Sequence, residues 1–113
     1  MINVYDTANQ LEQDLRQTEE VLGLQAAFAQ LKADPMAFGL FQQLQQLQDK
    51  LQTQQANNEE LDNDTIQQLQ TLSQQLSKYD VVQKLMEAER KVNGMMEQLN
   101  QIISKPIADI YNG

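Results

Sequence analysis

The stretch Leu40-Phe41-Gln42-Gln43-Leu44-Gln45-Gln46-Leu47-Gln48-Asp49-Lys50-Leu51 sets leucine at spacings of four, three and four and fills most of the gaps with glutamine. Spacings of three and four return side chains to one face of an α-helix. The stretch therefore predicts a helix whose leucine edge packs against another helix. Glutamine is a good helix former. The 21 glutamines of the chain, falling between regularly spaced leucines, are read as solvent positions of helices rather than as a low-complexity tract.

The same patterning extends outward. Val4, Ala8, Leu11 and Leu15 predict a first helix, with Asn3 as its cap and Asp6 in its first turn. Thr18 is the next capping residue, before an apolar series from Val21 through Leu24, Ala27 and Phe28 to Leu31. Leu15 and Leu22 are seven apart, which leaves one continuous helix open as an alternative. Asp34-Pro35 is the clearest punctuation, a capping residue followed by proline at the first helical position. The polar run 56–64 reads as a loop, and Asp64 with Gln67 resembles a capping box for a helix carrying Ile66, Leu69, Leu72 and Leu76. Asp80 is expected to cap the last helix, Gly94 to permit a close helix crossing within it, and Pro106 to stop it. The fold class is thus all-α. Five helices are expected over about 3–16, 19–33, 35–55, 65–78 and 80–104, with an apolar tail 105–113 that docks. Together they form one helical domain, 1–113, of antiparallel hairpins with long amphipathic helices in a dimerising bundle.

Composition narrows the chemistry. The 113 residues include no histidine, cysteine or tryptophan, so unperturbed titration near neutrality, thiolate chemistry and iron–sulfur ligation by cysteine have no residue to perform them. Ser73, Ser77 and Ser104 have no base to activate them. Sixteen acidic against eight basic groups give a net charge of −8, which disfavours direct nucleic-acid binding and an anionic membrane surface. No signal-peptide pattern or spanning apolar run is seen, so a cytoplasmic protein is expected.

The candidate sites are few. Glu59, Glu60, Asp62 and Asp64 make an acidic loop, but position six counted from Asp62 is Gln67 where a calcium loop needs glycine, so capping and a solvated loop are the reading. A di-metal carboxylate site lacks its histidines. Neither a metal nor a cofactor is expected. Lys84, Arg90 and Lys91 form a basic spot, a candidate dock for an acidic partner, with Glu87 placed to pair with Lys91. Leu40, Leu44, Leu47 and Leu51, with Leu85, Val92, Met95, Met96, Leu99 and Ile103, are the expected core and dimer contacts. The long apolar edges and the adaptable methionines favour a homodimer.

Ala33-Asp34-Pro35 opening a helix, a polar loop, and then Leu85-Met86-Glu87-Ala88-Glu89-Arg90-Lys91-Val92-Asn93 continuing to Leu99-Asn100-Gln101-Ile102-Ile103-Ser104-Lys105-Pro106-Ile107 resemble the YlbF/YmcA family of small helical proteins of Gram-positive bacteria, and within it the YheA branch. The resemblance implies a helical, cytosolic, dimeric protein. Its better-studied members associate with a third protein, YaaT, and influence competence, sporulation and biofilm formation through ribonuclease Y and messenger RNA processing. It therefore implies proteins of the same family and RNA-processing machinery as partners. Those members are linked to iron–sulfur clusters through cysteines, which this sequence lacks, so that cofactor does not carry over. The expected function is a non-catalytic regulatory or scaffolding protein acting through protein–protein contacts. The alternatives are a holdase-like chaperone that grips clients on exposed apolar edges, a protein with only a structural role, and a metal-dependent enzyme.

Overall fold

The computed structural model describes residues 2–113. They form five helices and, among the described residues, no strand: α1 (Val4–Leu15), α2 (Glu19–Lys32), α3 (Pro35–Ala56), α4 (Asn63–Leu76) and α5 (Asp80–Asn112).

Local capping chemistry sets most boundaries. Asn3 Oδ1 accepts from the Tyr5 and Asp6 amides at 3.0 and 3.3 Å. The Thr18 hydroxyl accepts from the Val21 amide at 3.2 Å and donates to the Leu15 carbonyl at 2.7 Å. That hydroxyl supplies the backbone with an alternative to the helical ladder, so α1 and α2 are separate helices. Asp34 accepts from the Ala37 amide at 3.2 Å, with Pro35 opening α3. α3 closes with Asn58 in the left-handed region at φ 57°. There the Glu59 amide donates to the Gln54 carbonyl at 2.8 Å and the Asn58 amide to Gln55 at 3.1 Å. Both bonds satisfy carbonyls that a helix end leaves open, and asparagine tolerates that backbone region.

Four local expectations are corrected. The cap of α4 is Asp62, which accepts from the Asp64 amide at 3.0 Å, so the helix starts before Thr65. Thr65 is instead buried. Asp80 lies inside the first turn of α5, where the Tyr79 carbonyl receives the Val82 and Gln83 amides. Gly94 marks no crossing, since a Cβ built on it meets nothing within 4 Å. Pro106 does not stop α5, which runs through it to Asn112 and leaves no separate docked tail. Proline removes one bond, to the Ile102 carbonyl, and crowds that carbonyl at about 3 kcal/mol. Residues 100–113 are exposed throughout, so water can reach Ile102, and the ladder resumes beyond it, with the Gly113 amide on Asp109 at 2.9 Å.

The chain divides into two compact units. Unit 27–85 holds the hairpin of α3 and α4 with the adjoining ends of α2 and α5. The hairpin is antiparallel: Lys50 late in α3 reaches Thr65 early in α4, while Met36 and Leu40 early in α3 share a hollow with Gln75 and Tyr79 at the far end. Ala27, Leu31, Ala37, Leu76, Val82 and Leu85 are its buried apolar residues. Phe28 meets Phe38 and Phe41 edge-on, with centroids 6.2 and 6.1 Å away, and Lys32 Nζ lies 5.0 Å over the Phe28 ring.

The other unit comprises residues 1–26 and 86–113. Among its described residues none is buried. Leu11, Leu15, Val21, Leu24, Ala88, Val92, Met95 and Leu99 are half-buried. Val4, Tyr5, Leu22, Met86, Met96 and a run of isoleucines late in α5 stay exposed.

Candidate interaction surface

Amphipathic helices arise here because apolar residues recur at three and four, and an apolar edge left in water is unfavourable by about 25 cal/mol per Å². In unit 27–85 that edge is largely met within the chain. Leu85 is buried, and Leu40, Leu44, Leu47 and Leu51 are half-buried along α3.

In α5 the stripe changes character along its length. Val92, Met95 and Leu99 are half-buried, whereas Met96 and Ile103 are exposed, so those two are not core residues of the protomer. Beyond Leu99 the stripe emerges entirely: Ile102, Ile103, Ile107 and Ile110 are 60–72% exposed and Tyr111 is 85% exposed. Ile102, Ile107, Ile110 and Tyr111 were not among the contact residues expected from sequence. The sequence carries a signal for them, because Ile102 and Ile103 follow Leu99 by three and four, Ile107 follows Ile103 by four, and Ile110 and Tyr111 follow Ile107 by three and four, but Pro106 within the series argues for a helix end.

The basic spot is solvated. Lys84, Arg90 and Lys91 are all exposed, and Arg90 is paired with Glu87 through two hydrogen bonds, the Nε one at 3.1 Å. This replaces the expected Glu87–Lys91 pair: the planar guanidinium grips both carboxylate oxygens, which an ammonium cannot do. The hydrogen bond from Arg90 holds the Glu87 carboxyl below its ordinary range, with the charges of Arg90 and Lys91 adding to it, and the same pair raises Arg90.

The acidic loop residues are exposed, and the Asp62 carboxylate is engaged as a cap. Among the described residues no three carboxylates converge as metal ligands. A groove of about 850 Å³ along α3 and α4 is lined by glutamines, including Gln43, Gln46, Gln67 and Gln68, together with Leu47, Leu72, Thr71, Lys50 and Asp64. The glutamine amides offer donors and acceptors but no group that titrates or attacks; the ionisable side chains of the groove are Asp64 and Lys50, whose amine donates to the Thr65 hydroxyl. No helix among the described residues is long and apolar enough to cross a membrane.

Comparison with known proteins places this geometry. The family model described as control of competence regulator ComK, YlbF/YmcA, matches residues 4–108. The UPF0342 protein of Latilactobacillus sakei subsp. sakei (strain 23K) is 49% identical over 112 residues, covering 99% of this chain and 98% of the relative. That of Ligilactobacillus salivarius (strain UCC118) is 45% identical, covering 99% and 97%. Among solved structures, a protein of unknown function (DUF964) from Bacillus stearothermophilus superposes with a TM-score of 0.86 at 24% identity, covering 97% of this chain and 96% of that one, and so shares the fold. The yheA protein from Bacillus subtilis superposes with a TM-score of 0.74 at 27% identity, covering 97% and 100%.

Proposed function

This chain belongs to the YlbF/YmcA family, and from that premise we propose that it is a non-catalytic regulatory or scaffolding protein that works as a homodimer through protein–protein contacts. The observation that carries this reading is the unit 1–26 with 86–113. It exposes the isoleucines of α5 along with Val4, Tyr5 and Leu22, and holds no buried residue among those described. Exposed apolar side chains in such number on one unit mark an interaction site. The absence of histidine and cysteine from the sequence supports a binding role over a catalytic one. The family description, control of competence regulator ComK, supports a role in that class of regulation; proteins of the same family and RNA-processing machinery, met in the cytoplasm, are the partners this reading proposes.

The test is light scattering of the pure chain, with co-purification on a tagged copy from a lysate of a bacterium that carries the family. A mass of twice 12.9 kDa together with capture of family members or ribonuclease components is the expected result. A strictly monomeric chain refutes the dimer. Capture of only a broad set of unfolded proteins replaces the adaptor by a chaperone.

A further inference from the structure

We propose that the joint between α1 and α2 is a hinge that straightens when two copies exchange their α1 helices. The proposal rests on the homodimer reading and names the segment that forms the dimer.

One side chain interrupts the helix at the joint. In a continuous helix the Leu15 carbonyl would receive the Glu19 amide. Here it receives the Thr18 amide at 3.2 Å and the Thr18 hydroxyl at 2.7 Å, while the Gln17 amide turns to the Asp14 carbonyl at 3.0 Å. The Thr18 hydroxyl also accepts from the Val21 amide at 3.2 Å. Neither glycine nor proline occurs in residues 3–22, and Arg16, Gln17 and Glu19 are good helix formers. Once the Thr18 hydroxyl gives up its bonds, the helical ladder can run through 16–18.

The phase of the apolar residues says what a straight joint would do. Leu11, Leu15, Thr18 and Leu22 follow at four, three and four, so a straight helix carries them on one face with Val4 and Ala8. The residues that pack α2 lie on another: Ala27 and Leu31 are buried, and Val21, Leu24 and Phe28 are half-buried. Leu24 follows Leu15 by nine residues and Leu31 follows it by sixteen, which is about two and a half and four and a half turns. The extra half turn puts them on the opposite side of a straight helix. The turn at 16–18 therefore lets both stripes serve one protomer. Without it, the α1 stripe faces away from the core that α2 enters and toward another molecule.

The molecule that fits is a second copy. α1 is loosely held: it has no buried residue, Leu11 and Leu15 are half-buried, and Val4, Tyr5 and, beyond the joint, Leu22 are exposed. Exchange of a segment between identical chains needs no new complementary surface, because the seat that α1 leaves in one copy is the seat it takes in the other. The exchange is reciprocal, as a two-fold dimer requires. It also adds Leu22, which lines up with Leu11 and Leu15 on the face turned to the partner.

The experiment compares the full chain with two variants of opposite expected effect. Proline suits the first position of a helix, which Glu19 occupies in α2, but in the interior of a helix running through 19 it removes the bond to Leu15 and crowds that carbonyl. Glu19→Pro is thus expected to keep the folded protomer and to weaken self-association in sedimentation about tenfold or more. Thr18→Leu removes the cap and fills the stripe, and is expected to strengthen association. Spin labels on Asn9→Cys and Gln30→Cys, both exposed in this cysteine-free chain, read the joint directly when labelled copies are diluted with unlabelled ones. A straight helix separates these two Cα atoms by about 32 Å at 1.5 Å per residue, and a turn brings them closer. The expected result is the long separation in the native dimer and the shorter one in the Glu19→Pro protein. Circular dichroism checks that each variant keeps its helices, and if the proline variant loses them, the separation in the native dimer decides. A native dimer with the shorter separation, or a folded Glu19→Pro chain that dimerises as well as the native one, overturns the exchange and leaves the homodimer standing. A native chain that is monomeric throughout removes both readings.

Discussion

The Lys50 ammonium donates to the Thr65 hydroxyl at 3.3 Å, joining α3 to α4 next to the loop that connects them. Thr65 is 2% exposed and is the buried polar side chain of the described residues, whereas Lys50 is exposed. This asymmetry sets the cost of breaking the contact from either side. Lys50→Met is expected to destabilise the protein by about 1 kcal/mol, because it leaves a buried hydroxyl without its partner. Thr65→Val should cost less, since the amine can turn to water. The double variant should regain most of the loss, and urea denaturation of the four proteins measures the coupling.

Leu31 is fully buried in unit 27–85, and Met36 nearby in sequence is 71% exposed. Leu31→Ala is expected to cost about 2–5 kcal/mol through lost burial and the cavity left behind. Met36→Ala should stay within about 0.5 kcal/mol. Thermal unfolding of the two variants separates these outcomes, and equal losses would mean that the core is misplaced.

Gly94 sits in α5 with open space where a side chain would be. Gly94→Ala is therefore expected to stabilise the protein by about 1 kcal/mol, through helix propensity alone. A rise in the melting temperature checks it. A fall would reveal a close approach at this position in the assembled protein.

Glu87 has its proton affinity lowered by the hydrogen bond from Arg90. A carboxylate whose pKa is lower folded than unfolded contributes stability above its unfolded value, near the ordinary 4.5, and loses it as pH falls through the folded value. Glu87→Gln should thus be slightly less stable than the native chain at pH 7 and indistinguishable from it well below the carboxylate range. The effect is small because the pair is exposed. Urea midpoints measured across that pH range show whether the difference disappears in the expected direction.

Much of the architecture was legible in the sequence because its causes are local. A cap at Asn3, Thr18 or Asp34 depends on an amide two or three residues away, and the leucine spacing from Leu40 to Leu51 depends only on the helical period. The all-α class, the five helices and the antiparallel hairpin of α3 and α4 follow from such signals. The cap of α4 was misplaced by two residues because Asp62 and Asp64 are equivalent as chemistry, and the burial of Thr65 against Lys50 separates them.

Tertiary structure alone decided which members of equally spaced series are covered. Leu31, Leu76 and Leu85 are buried, Leu40 to Leu51 are half-buried, and Ile103 to Tyr111 stand in water, although the sequence spaces them alike. Periodicity specifies a face, while burial depends on what comes to lie against it. The course of α5 through Pro106 is a decision of the same kind. Proline imposes a local cost rather than a prohibition, and solvent around an exposed helix can satisfy the carbonyl it orphans. The choice of Arg90 over Lys91 by Glu87 likewise rests on the geometry of a planar donor pair, which charge and spacing do not specify.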